Sequence, residues 1–127
     1  MRAVDAAQAL AELTEVSSEI EAAVIADDQG NVTATTHRNG VELADAGRAL
    51  LEHATRVQGR EPARVDVATA RGNVFVVRDG GRTIVATTAP EPTAGLVFYD
   101  LKTCLRALES PKPKRRRTKP KERSDEA

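Results

Sequence analysis

Along residues 4–17 apolar side chains return at Ala6, Leu10, Leu13 and Val16, with Glu12 and Glu15 between them. Steps of three and four predict a helix with one buried stripe. The next segment, "EAAVIADDQGNVTATT" at residues 21–36, breaks that rhythm. Ala22, Ala23, Val24, Ile25 and Ala26 are apolar without alternation, so a strand over about 20–26 has no wet face and must be covered on both sides. "DDQGN" then supplies turn chemistry, with Gly30 and Asn31 free to adopt positive φ. "VTATTH" alternates and is rich in threonine, as an edge strand would be.

After Asn39-Gly40 a second helix is expected from about 42 to 58. Leu43, Ala46, Leu50, Ala54 and Val57 form its expected sheet-facing stripe. Gly47 sits inside it, at a propensity cost of roughly 1 kcal/mol against alanine. The opposite face carries Asp45, Arg48, Glu52 and Arg56, spaced for Arg48–Glu52 and Glu52–Arg56 pairs at i,i+4. Residues 64–88 read as three strands, "RVDVATA", "NVFVVRD" and "RTIVATT", joined by tight turns at Arg71-Gly72 and Gly80-Gly81. Val65, Val67, Val74, Val76, Val85 and Thr87 share one face; Phe75, Val77, Ile84 and Ala86 share the other. Both faces are apolar and both need cover. Beyond the breaker "APEPTAG", a third helix runs from about 95 to 109 with Val97, Leu101, Cys104, Leu105 and Leu108 on one stripe, and Pro111 and Pro113 stop it.

The resulting order is α-β-β-α-β-β-β-α. It predicts an α/β (α+β) domain over 1–109, a five-stranded antiparallel sheet with helices on both faces, followed by a basic, proline-bearing disordered tail at 110–127.

Composition sharpens this in three places. Aromatic residues make up 2% of the 127 residues, which argues against a base-stacking surface and against an aromatic-lined ligand pocket. The single cysteine, Cys104, forms neither an internal disulfide nor a multi-cysteine metal site. The opening "MRAVDAAQAL" lacks the apolar core of a signal peptide and no stretch has membrane-spanning length, so a cytoplasmic protein is expected. The zero net charge hides an asymmetry. Residues 110–127 hold eight Lys/Arg against three Asp/Glu, and residues 1–109 hold eleven against sixteen.

No catalytic constellation assembles from these residues, and no cofactor or metal set is expected. The phosphate-cradling G-x-x-x-x-G-K-[ST] loop is missing from the sequence, so the chain is not a GTPase of that class. Cys104 lies on an apolar stripe and reads as a core thiol. His37 and His53 are too few and too scattered for catalytic zinc. Asp27 and Asp28 precede Gly30 and read as turn formers. In the tail, Lys112, Lys114, Arg115, Arg116, Arg117, Lys119, Lys121 and Arg123 give charge density that suits phosphates of nucleic acid or of anionic membrane, or simply solvation.

The element order, "AAVIADDQGNVTATT", the middle-helix run "GVELADAGRALL" and the closing "GLVFYDLKTCLRAL" together resemble the roadblock / dynein light-chain family, over about residues 4–109. The nearest look-alikes are bacterial roadblock proteins that regulate Ras-like GTPases. The resemblance implies a sheet order 2-1-5-4-3 and a homodimer. The subunits would pair through the third strand (Val65, Asp66, Val67, Ala68, Thr69), with the middle helices side by side and Ala44 and Gly47 permitting close approach. A strand edge without Pro or Lys needs a partner, which agrees.

Joined to that resemblance, the reading is a non-enzymatic dimeric adaptor that engages a Ras-like small GTPase and biases its nucleotide state or location. Asp45, Arg48, Glu52 and Arg56 form its partner-binding face. Two other classes compete: a profilin-like sensory ligand-binding domain, and a dimeric carrier of a tail that contacts nucleic acid or anionic membrane.

Overall fold

A computed structural model describes residues 5–36 and 38–108. The elements are α1 (Ala6–Val16), β1 (Ile20–Ala26), β2 (Val32–Thr35), α2 (Gly40–Gln58), β3 (Arg64–Thr69), β4 (Gly72–Asp79), β5 (Arg82–Thr88) and α3 (Ala94–Ala107). The strands form one antiparallel sheet in the order β2-β1-β5-β4-β3. β1 lies between β2 and β5, with Ala23 opposite Ala86 and Val24 opposite Val85. Its unpatterned apolar run is thereby explained: the strand is interior, with helices above and below.

The period-two alternation of the strands sorts the core into two layers. Ile25, Phe75 and Ile84 face α1 and α3, where they meet Leu10, Leu13, Leu101 and Leu105. Phe98 of α3 meets Phe75 edge-on at 5.0 Å, the favourable geometry for two aromatic quadrupoles. Val24, Val76 and Val85 face α2 and meet Ala44 and Leu51.

Local chemistry sets the boundaries. Asp5 caps α1, its carboxylate accepting the Gln8 N–H at 2.8 Å. The α1 stripe differs from the expected one at its end: Ala9, Leu10 and Leu13 are buried, whereas Val16 is 74% exposed. Asp27 builds the β1–β2 turn by accepting the N–H groups of Gln29 and Asn31, each at 2.9 Å. These bonds to the charged form hold its carboxyl below the usual range. Gly30 supplies the positive φ there and Asn31 does not. The β3–β4 turn falls at Ala70-Arg71, one residue before the expected place, because Gly72 already pairs with Thr69.

Candidate functional site

α2 begins at Gly40 and buries Gly40, Ala44, Gly47 and Leu51. This corrects the expected stripe. At 3.6 residues per turn, Leu43, Ala46, Leu50, Ala54 and Val57 fall on one flank of the helix rather than beneath it. Val57 is 71% exposed, Ala46 is exposed, and Leu43, Leu50 and Ala54 are half-buried. The roles expected of Ala44 and Gly47 in helix–helix contact are corrected with it. Both face their own sheet, and a Cβ on Gly47 would collide with the Val85 side chain. Glycine at 47 lets α2 settle onto the valine-rich face of β1, β4 and β5. Apolar periodicity alone could not separate the two stripes, because Gly47 carries no hydrophobic signal.

The opposite flank holds Asp45, Arg48, Glu52 and Arg56, all exposed as expected. The expected i,i+4 pairs are not closed; Arg48 instead turns back to Asp45 at 2.9 Å. This flank faces the β1–β2 turn, where a cavity of about 130 Å³ is lined by Asp27, Gly30, Arg48, Arg78 and Thr83 among others. A wider, open cleft of about 460 Å³ adjoins it, lined by Arg48, Glu52, Arg56, Glu61 and Arg78. Arg78 crosses to Glu61 at 3.5 Å and donates to the Thr83 hydroxyl at 3.3 Å.

The apolar flank faces the other end of the sheet, and there the sheet is only partly covered. Ala22, Thr87, Val74 and Val67 are cross-strand neighbours on β1, β5, β4 and β3, and all four are half-buried on the α2 side. Leu43, Leu50, Val65 and Val74 border the same core layer. The surface runs out to β3, which among the described residues pairs with β4 alone. Arg64, Asp66, Ala68 and Thr69 are exposed on that edge, while Val65 and Val67 turn half-buried toward α2. The structure thus brings Val65 and Val74 together with Leu43 and Leu50 around one core layer, while Val67 is half-buried further along β3 and Val57 is exposed on the helix.

Other residues singled out in the sequence fall elsewhere. Cys104 is buried in the α1–α3 layer, and burial pushes its thiol up to about 11. His53 is exposed on α2, and His37 and the tail cations lie outside the described residues. Among the described residues no group of three His, Cys, Asp or Glu side chains could hold a metal ion. No helix there is long and apolar enough to cross a membrane.

Neither a family model nor a curated protein matches the sequence. Solved structures do match in shape. A Roadblock/LC7 domain from Streptomyces avermitilis superposes with a TM-score of 0.70 at 15% identity, covering 82% of this chain and 94% of that one. The gliding protein MglB from Thermus thermophilus gives 0.64 at 20% identity, covering 81% and 84%. A further structure, described as MglB with a tetrameric arrangement, gives 0.62 at 16% identity, covering 81% and 84%. The chain has a roadblock-domain fold.

Proposed function

We propose that the protein is a non-enzymatic homodimeric adaptor that binds a Ras-like small GTPase and biases its nucleotide state or its location. The observation that carries this reading is the half-covered apolar surface of α2 and the sheet, ending at an open strand edge. Val57, Ala46, Leu50 and Leu43 flank the helix, and Val67 and Val74 continue the patch toward β3. A long edge without proline or lysine, beside exposed apolar side chains, is a surface built for pairing. The likeness to MglB structures supports the same class of protein. Pairing through β3 would set the two α2 helices side by side by their apolar flanks. The charged flanks, with Asp45, Arg48, Glu52 and Arg56, would then point away from the seam and remain free for the GTPase. A partner held on such a surface shifts between nucleotide states only as far as the surface prefers one of them.

The test uses the purified 127-residue protein and a Ras-like small GTPase from the same genome, loaded in turn with GDP and a non-hydrolysable GTP analogue. Arg48→Glu with Arg56→Glu should leave sedimentation as a dimer unchanged and weaken capture of the GTPase. Capture that ignores the charge reversal, or a wild type that sediments as a monomer at micromolar concentration, would overturn the reading.

A further inference from the structure

The charge of the chain is distributed by element. Residues 5–36, which form α1, β1 and β2, carry seven Asp/Glu and not one Lys or Arg, whereas residues 110–127 carry eight Lys/Arg against three Asp/Glu. α1 and α3 pack side by side, and the groove between them holds about 170 Å³. Its floor is Ala9, Leu13, Cys104 and Ala107, and its rims carry Glu12 and Asp100. Among the described residues neither rim carboxylate has an ion-pair partner. Glu15 extends the acidic face of α1, and Val16 lies 74% exposed at the end of the groove. Leu108, the last described residue, closes α3 one residue past Ala107, which lines the groove.

We propose that the basic tail, residues 110–127, docks on the groove between α1 and α3 of its own chain, with its cations on Glu12, Glu15 and Asp100. Reach is no obstacle. The nineteen residues beyond Leu108 extend to about 60 Å, and the eleven-residue α1 is only about 16 Å long. Each exposed ion pair is weak by itself, but a tether of this length holds the tail at roughly millimolar effective concentration. The aliphatic stems of Lys and Arg and the rings of Pro111 and Pro113 suit a floor of small apolar side chains. Nucleic acid and anionic lipid would then meet a tail already engaged by internal carboxylates, and would have to displace them.

The sequence makes the test specific, because the tail holds four lysines and the rest of the chain only Lys102. A carbodiimide joins lysine to carboxylate at zero length, so full-length protein treated at low salt reports on the tail almost alone. The expected cross-links run from Lys112 and Lys114 to Glu12, Glu15 and Asp100. They should vanish at about 0.5 M salt, where screening shortens to a few ångströms. Cross-links spread evenly over the carboxylates of α2 and β3 would overturn the proposal. So would cross-links formed chiefly between isotopically labelled and unlabelled copies. A second measurement uses Glu12→Gln, Glu15→Gln and Asp100→Asn together in the full chain. Freed of its internal partners, the tail should bind a short DNA duplex or a phosphatidylserine vesicle several-fold more tightly than wild type. Equal binding by the two proteins would show that the tail was never held.

Discussion

Gly47 of α2 rests on Val85 of β5, and a Cβ added to the glycine would overlap the valine's Cγ2. The contact fixes which face of the helix is inward and gives a prediction whose sign is informative. In a solvent-facing turn, Gly47→Ala would stabilise the helix by about 1 kcal/mol. Here it should destabilise by roughly 1–3 kcal/mol, because the added Cβ meets both methyl groups of Val85, a stiff β-branched side chain that is almost fully buried and must shift to admit it. Denaturant unfolding decides the sign. If the protein forms the dimer proposed above, sedimentation of the variant should match wild type, since the glycine lies under the helix against its own sheet.

The outer flank should behave in the opposite way. Val57 is 71% exposed and Ala46 exposed in the single chain, so replacing both with glutamate removes little internal packing. Changes at such positions usually stay within about 0.5 kcal/mol. If this flank covers its counterpart in a second subunit, the double variant brings like charges together across the seam. It should sediment as a monomer while its thermal unfolding, measured at low protein concentration, stays close to wild type.

These two variants also show where the sequence was legible. The strand order and core layers follow from patterns with strong alternation: Val74, Val76, Val85 and Phe75, Val77, Ile84 fell on the expected faces. The interior position of β1 followed from its lack of any pattern. The α2 orientation did not follow, because the helix has two adjacent apolar stripes. The one that meets the sheet is built from Gly40, Ala44, Gly47 and Leu51. Small residues signal weakly in hydropathy yet permit the closest approach, and the larger Leu43, Leu50 and Val57 drew the expectation to the wrong stripe. Val16 on α1 was misplaced similarly: it continues the period, but the helix ends there and leaves it without a neighbour to cover it.

Cys104 gives a prediction in pH. Burial raises its thiol from 9.0 to about 11. In the unfolded chain the thiol ionises first, so between those values the folded state binds more protons than the unfolded one. By linkage, stability then falls as pH rises from about 9 to about 11, and below 9 the contribution is fully present. Denaturant unfolding across this range should show that decline in wild type, and Cys104→Ala should lose it. The native thiol should also resist alkylation at neutral pH and react when the protein is unfolded. Rapid labelling of the native state would place the inner face of α3 in water.

The edge of β3 can be tested one backbone donor at a time. In an antiparallel pair, residues that exchange both hydrogen bonds alternate with residues that exchange none. Arg78 donates to the Ala63 carbonyl at 2.8 Å. With Val65 opposite Val76, Val67 opposite Val74 and Thr69 opposite Gly72, the odd-numbered residues turn their N–H groups inward to β4. Arg64, Asp66 and Ala68 therefore aim theirs outward, where a second β3 would receive them. Proline is tolerated on an edge strand when its missing N–H faces away from the sheet. Ala68→Pro should leave the single-chain ladder intact, so circular dichroism should stay near wild type. The outward donor is gone, and sedimentation should show a loss of dimer. Val67→Pro removes an inward donor instead and should unravel β3 itself, with a lower melting temperature and a mixed population. If Ala68→Pro remains fully dimeric while folded, the subunits do not join through β3, and the apolar flank of α2 must find its partner by another route.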